Sequence, residues 1–103
     1  MNPLQTSRFK LVTIVAERLL EERLLADIKA LGAHGWTITD VRGQGSRGVR
    51  ASDWEGGNVK IETVVAADVA GRILELLAAR YFTRFAVIGY VTDLEVVRGD
   101  KFA

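Results

Sequence analysis

The stretch VRGQGSRGVRASDWEGGN, Val41 to Asn58, has neither helical nor strand periodicity and separates two strand-like segments. A hairpin needs only about two to five loop residues, and structureless loops of this size in small domains are usually functional or disordered. Its first half interleaves three glycines with three arginines: Gly43, Gly45, Gly48, Arg42, Arg47 and Arg50. Glycines let backbone N–H groups turn toward an anion, and guanidinium groups add charge and bidentate geometry. The stretch therefore predicts a phosphate-binding loop. The alternative is a solvated loop in which Asp53 and Glu55 pair with the arginines and contribute little.

Composition limits the classes of protein that fit the chain. Its 103 residues predict one domain over the whole chain, 1–103. With 14 basic and 13 acidic residues the net charge is +1, so no overall field favours nucleic acid. The lack of cysteine excludes disulfides and thiol catalysis. The polar start and the absence of a long apolar run lead us to expect a cytoplasmic protein that does not span a membrane.

The order of predicted elements is strand, helix, strand, strand, helix, strand. The strands are predicted at residues 9–16, 36–42, 59–65 and 85–97, the last with a bend or bulge near Gly89 or Asp93. The first helix is predicted from Arg18 to a left-handed stop at Gly32. The second helix is predicted from an N-cap at Asp68 to about residue 82.

This order predicts an α+β, ferredoxin-like βαββαβ fold, with a four-stranded antiparallel sheet and two helices on one face. The first and third strands are expected at the centre. The other sheet face has no helix to cover it, yet the first and fourth strands place apolar residues there. We therefore expect that face to be buried against further copies of the chain. Periodicity does not fix the number of copies.

Residues typical of catalysis or metal binding do not form a set. His34 is the only histidine, and it lies between two glycines after a helix, where it suits the last helical carbonyls better than a metal. Glu17, Glu21 and Glu22 lack a second cluster that would complete an acid–base site. The sequence predicts no catalytic residue, no metal site and no enzymatic activity.

The βαββαβ order, the long loop and the run from Gly43 to Arg50 resemble the PII-like signalling proteins. The resemblance is greatest to the carboxysome-associated PII and SbtB-type branch, and it extends to Gly35-Trp36-Thr37 and to Tyr81-Phe82. It implies a homotrimer that binds ADP or AMP at clefts between subunits. The loop at about residues 43–58 corresponds to the family's T-loop.

The resemblance also implies which residues contact the nucleotide. Phosphate contacts are expected from the backbone of Gly45 and Ser46, the Ser46 hydroxyl, and the side chains of Arg47 and Arg50. The backbone near Val87 is expected beside the adenine or phosphate, across the cleft. The full expected set is Thr37, Gly43, Gly45, Ser46, Arg47, Arg50, Val87 and Arg98.

The T-loop is also expected to contact a partner protein, through Trp54. The loop has no tyrosine, so the uridylylation known for some PII proteins is not expected. The C-terminal cysteine pair of some SbtB-type relatives is absent too, which favours the shorter carboxysome-associated type, with bicarbonate as a co-ligand.

The predicted function is regulation of inorganic-carbon uptake through the T-loop. The predicted partner is a bicarbonate transporter or a carboxysome-related protein, and the location is cytoplasmic, with peripheral association to membrane or carboxysome as an option. The alternative is a structural or assembly module of the same fold that binds protein without sensing nucleotide.

Overall fold

The computed structural model describes residues 5–43, 57–98, 100 and 102. The elements are β1 (Ser7–Glu17), α1 (Glu21–Ala30), β2 (Thr37–Val41), β3 (Asn58–Val65), α2 (Ala67–Arg80) and β4 (Ile88–Val96). Their strands form one antiparallel sheet in the order β2-β3-β1-β4. The predicted ferredoxin-like fold, with the first and third strands central, is confirmed. None of the helices in these ranges is long and apolar enough to cross a membrane.

The core lies between the helices and one face of the sheet. Alternation along β1 and β3 directs every second side chain to that face. The two helices contribute the apolar stripes predicted from their spacing of three and four residues. The fully buried side chains of this core include Val12, Ile14, Val59, Ile61, Leu24, Ile28, Ile73 and Leu77.

The opposite face of the sheet, here called the open face, has an apolar half and a polar half. On β4, Ile88 and Tyr90 are 58% and 49% exposed, and Leu11 and Val15 of β1 are partly buried beside that strand. On β2 and β3 the same face carries, with Val64 as an apolar exception, mainly polar side chains: Thr37, Thr39, Lys60 and Glu62. The apolar half matches the surface that we expected to be buried by further copies of the chain.

Both helices begin differently from the prediction. Arg18–Leu20 forms a 3-10 turn, and α1 starts at Glu21 without a side-chain cap. Asp68 is not the N-cap of α2; Ala66 occupies that position, and the Asp68 carboxylate accepts a hydrogen bond from Arg72, one turn on, at 2.9 Å. Asp68 therefore lies near the positive end of the helix dipole and forms an i,i+4 ion pair instead of capping the helix.

The structure does not contain the bulge that was predicted as one option for the fourth strand. The pairing of β4 with β1 runs without interruption from Ser7 opposite Val96 to Val15 opposite Ile88. Glycine is required at position 89 for a different reason: a Cβ at this position would lie 2.6 Å from Leu77 Cδ1. The pairing register of β4 is therefore continuous, and the lack of a side chain at Gly89 allows α2 to pack closely on the strand.

Candidate functional site

The base of the long loop lies at the end of the sheet where β1 and β2 finish and β3 begins. Asn58 is the residue that both Glu17 of β1 and Val41 of β2 face in the register. Just before it, Gly57 has a φ of 69°, a left-handed conformation that glycine adopts without steric cost. The Gly57 carbonyl accepts a hydrogen bond from the Arg18 N–H at 2.9 Å. The returning end of the loop is therefore fixed to the end of β1.

An ion pair holds the outgoing end of the loop to the same point. Arg18 Nη2 lies 2.6 Å from Asp40 Oδ1, next to the last residue of β2. Backbone and side chain of one residue thus contact both ends of the loop. Since both side chains of the pair are largely exposed, the pair itself contributes little to stability. It joins the end of β1 to the end of β2 through one side-chain contact.

Of the nine residues predicted to contact nucleotide or partner, the described part of the chain contains four: Thr37, Gly43, Val87 and Arg98. The others, Gly45, Ser46, Arg47, Arg50 and Trp54, lie outside the described residues. The phosphate-binding arginines and the Trp54 contact therefore remain predictions.

Thr37 is exposed at the start of β2, in the polar half of the open face. It faces Glu62 of β3, which in turn is paired with Thr13 of β1. Glu62 and its neighbour Lys60 were not among the predicted site residues. Their alternation with the buried Val59, Ile61 and Thr63 was the signal that could have placed them on the same face as Thr37. Together they offer hydroxyl, carboxylate and ammonium groups on the edge strand β2 and its neighbour β3.

Gly43 and Val87 lie at the same end of the sheet but on opposite edges. Gly43 follows β2, while Val87 precedes β4, and two central strands separate these edges. Three strand spacings correspond to roughly 14 Å. A ligand held at the loop of one chain would have to extend across the whole width of the sheet to contact Val87 of the same chain. It could reach Val87 of a second copy whose β4 edge approaches the β2 edge of the first.

Val87 is 7% exposed, and its N–H donates to the Phe85 carbonyl at 3.0 Å. A backbone contact from Val87 to a ligand would therefore use the carbonyl oxygen, which accepts hydrogen bonds. An acceptor suits the exocyclic amine of adenine and does not suit a phosphate.

Arg98 lies at the far end of the sheet, two residues beyond Val96, which pairs with Ser7 at the start of β1. The eleven residue-to-residue steps from Val87 to Arg98 span roughly 36 Å as a strand, so one chain does not bring these two residues together. Arg98 is also the only non-glycine residue of the described ranges with a positive φ, 68°. Such a conformation is unfavourable for an arginine and is found most often where function or surrounding structure requires it.

At the end of the sheet away from β2's last residue, a groove of about 610 Å³ contains none of the four described site residues. It is lined by Arg8, Phe9, Lys10, Ala67, Asp93, Leu94 and Glu95. Its charges face one another across the β1–β4 pairing: Arg8 is opposite Glu95, and Lys10 is ion-paired with Asp93. The Lys10 ammonium group also donates a hydrogen bond to the Asp93 carboxylate, which lowers the pKa of Asp93. Because the charges compensate, the groove has no excess of positive charge for a phosphate.

Within the described ranges, no group of three or more histidine, aspartate or glutamate side chains is arranged to hold a metal ion. The prediction that the protein needs no metal stays a prediction, because the loop residues are outside those ranges.

The fold places the chain among small βαββαβ proteins that have a long connection between the second and third strands. The chain belongs to the P-II family, since the family described as nitrogen regulatory protein P-II matches residues 9–101. A solved structure described as a PII-like signalling protein, from Thermus thermophilus, is 50% identical, covers 97% of this chain and 100% of that chain, and has a TM-score of 0.85.

Two structures of CPII, a nitrogen regulatory PII-like protein from Thiomonas intermedia, share the fold. One, bound to ADP, AMP and bicarbonate, is 23% identical, covers 97% of this chain and 98% of that one, and has a TM-score of 0.88. The other, bound to ADP and bicarbonate, is 22% identical, with 98% and 100% coverage and a TM-score of 0.87. The resemblance to PII-like proteins is thereby confirmed at the level of family and fold.

Proposed function

We propose that this protein is a PII-like sensor that binds an adenine nucleotide in clefts between subunits and signals through its T-loop. The observation that carries the proposal is the placement of Gly43 and Val87 on opposite edges of one sheet. Residues that the family resemblance assigns to one ligand are spread over both edges of the sheet, and two of them, Val87 and Arg98, lie at opposite ends of it, roughly 36 Å apart. Contacts across a subunit boundary would bring them together.

The open face supports assembly of several copies. Ile88 and Tyr90 expose large apolar surfaces there, and burying such a patch in a homo-oligomer is favourable. The polar half, with Thr37 and Glu62, would then stay at the rim, close to the ligand. Three copies is the number that the family resemblance implies.

The ligand proposed is ADP or AMP. The phosphates would contact Arg47, Arg50, Ser46 and the backbone of Gly45, while Thr37 and the Val87 carbonyl would lie nearer the base. Arg98 would reach the phosphates from a neighbouring subunit. The CPII structures with ADP and bicarbonate support this class of ligand and support bicarbonate as a co-ligand.

The output proposed is control of inorganic-carbon uptake from the cytoplasm, as in the carboxysome-associated branch. A nucleotide would select one conformation of the T-loop, and Trp54 would contact a bicarbonate transporter or carboxysome-related protein. A ligand shifts such an equilibrium only by its differential affinity. Two arginine contacts at about 1.5 to 3 kcal/mol each, before ordering costs, would be of the size that such a shift needs. The protein would act by binding, without catalysis.

Calorimetry with ADP and AMP tests the phosphate role. Arg50→Ala should weaken ADP binding by about tenfold or more, the equivalent of one lost charge-assisted contact. Arg72→Ala is the matched control: it also removes one arginine, but from the exposed side of α2, where Arg72 pairs with Asp68. Undiminished binding by Arg50→Ala would refute the phosphate role.

The assembly-module alternative predicts a different result. A wild-type protein that binds none of these nucleotides, yet loses its partner when Trp54 is changed to alanine, would establish that alternative in place of the sensor.

A further inference from the structure

A buried polar contact joins the end of α2 to α1. Tyr81 is 0% exposed, and its hydroxyl donates a hydrogen bond to Asp27 Oδ2 at 2.5 Å. Arg80 Nη1 lies 3.7 Å from the other oxygen of the same carboxylate. A phenylalanine at position 81 would fill the same volume without requiring a buried partner. Buried polar contacts of this kind are costly unless satisfied, and when satisfied they favour one geometry over others.

The aromatic ring of Tyr81 extends the contact into the segment after the helix. The Phe85 ring centroid lies 5.9 Å from that of Tyr81, with the planes inclined by 46°. The Arg23 guanidinium of α1 lies over both rings, 5.2 Å from the Tyr81 centroid and 5.8 Å from that of Phe85. These distances are those of aromatic and cation–π pairs. Side chains of α1 thus contact this segment at both Tyr81 and Phe85.

The backbone of the same segment is also hydrogen-bonded to Tyr81. The Tyr81 carbonyl accepts hydrogen bonds from the N–H groups of Arg84, at 3.1 Å, and Phe85, at 2.9 Å. The Phe85 carbonyl in turn accepts the hydrogen bond from the Val87 N–H. A continuous set of contacts therefore runs from α1 through Tyr81 and Phe85 to Val87, at the start of β4.

The Tyr81 hydroxyl keeps its proton under ordinary conditions. Burial, followed by the hydrogen bond to Asp27 and the charge of that carboxylate, raises the pKa of Tyr81 to about 12. The hydroxyl is therefore a permanent donor near neutral pH, and the contact is a fixed structural feature in that range.

We propose that Tyr81 and Asp27 are positioning residues for the nucleotide site, because their hydrogen bond fixes the segment that presents the Val87 carbonyl across the subunit cleft. This inference rests on the proposed function. Without the contact, the segment keeps its packing but gains freedom, and the ligand must then order it on binding. Ordering costs of this kind lower affinity without removing any direct contact with the ligand.

The test compares Tyr81→Phe with Ile73→Val in ADP calorimetry well below the melting temperature of both. Ile73 is fully buried on α2, two turns before Tyr81 and outside this set of contacts. We expect Tyr81→Phe to weaken ADP binding about fivefold to tenfold, within the range for the net contribution of one typical hydrogen bond. Ile73→Val should lower the melting temperature and leave ADP affinity unchanged. Asp27→Asn keeps an acceptor oxygen and should give an intermediate loss of affinity.

Hydrogen exchange of the Phe85 and Val87 amides gives a second measurement that needs no ligand. Both should exchange about tenfold faster in Tyr81→Phe than in Ile73→Val. Equal ADP affinity for Tyr81→Phe and wild type, or unchanged exchange at these amides, would overturn this inference alone. Absence of ADP binding by the wild type would overturn both the inference and the proposed function.

Discussion

Leu77 of α2 lies directly over Gly89 of β4, so that a Cβ on the glycine would come within 2.6 Å of Leu77 Cδ1. Leu77 is fully buried and cannot turn into solvent. The Thr13 carbonyl oxygen, at 3.8 Å from the same position, lies on the neighbouring strand. The close approach of helix and sheet at this point depends on the missing side chain.

We therefore expect Gly89→Ala to destabilise the protein by about 1 to 3 kcal/mol, the usual cost of forcing an extra carbon into a packed core. Gly71→Ala is the matched control. A Cβ there meets nothing within 4 Å on the exposed side of α2, and alanine in a helix should stabilise by roughly 0.5 to 1 kcal/mol. Urea unfolding measures both; similar effects of the two changes would contradict this account of Gly89.

The stability of the protein should fall in alkali because of Tyr81. Its pKa is about 12 in the folded state against 10.0 for the ordinary side chain. Below pH 10 both states keep the proton and the contact stabilises fully. Between pH 10 and 12 the unfolded state loses the proton first, which removes up to about 2.7 kcal/mol, or 1.36 kcal/mol per pH unit.

Urea unfolding between pH 9 and 11.5 measures this loss as the difference between wild type and Tyr81→Phe. The variant lacks the titrating group, so the difference between the two proteins should shrink as the pH rises. Tyr90→Phe, which removes the other of the two tyrosines, serves as the control and should retain the alkaline loss. A constant difference between wild type and Tyr81→Phe would be inconsistent with a raised pKa at Tyr81.

Replacing Arg98 should change the stability of the ligand-free protein and its affinity for ADP in different directions. Its φ of 68° is unfavourable for arginine and unstrained for glycine. Arg98→Gly should therefore leave the ligand-free protein unchanged or more stable by up to about 1 kcal/mol. If Arg98 reaches the phosphates, the same change should weaken ADP binding by about tenfold.

Thermal unfolding without nucleotide and calorimetry with ADP measure the two effects of Arg98→Gly. Arg98→Lys keeps both the positive charge and the strained backbone, and loses only the bidentate geometry. It should retain more affinity than the glycine variant. Equal ADP affinity for wild type and Arg98→Gly would remove Arg98 from the site.

The order of the elements and the sheet topology were predictable because periodicity carries that information directly. Alternation in β3, and the helical spacing of Leu24 and Ile28, each report which face is buried. The details that were wrong depend on which particular neighbour each residue contacts in the folded chain. Gly89 was interpreted as a bulge because its cause, Leu77, is on another element, and Asp68 was placed as a cap because propensity ignores the available partner, Arg72.

The site was predictable only in part, for a related reason. Glycine and arginine in the loop indicate an anion through local chemistry, whereas the edge-to-edge separation of Gly43 and Val87 is a property of the sheet. The Tyr81–Asp27 contact joins residues 54 positions apart, and no local pattern indicates it. A tyrosine at a helix end predicts packing, and only the structure provides the carboxylate that its hydroxyl needs.

The claim on which the account depends is that several copies of the chain complete one another's nucleotide sites. Native mass spectrometry of the wild-type protein with ADP tests it in a single spectrum. We predict a trimer that takes up three ADP molecules, and free subunits that carry none. A monomer that binds ADP by itself, or an assembly of any size that binds no ADP, would contradict the claim.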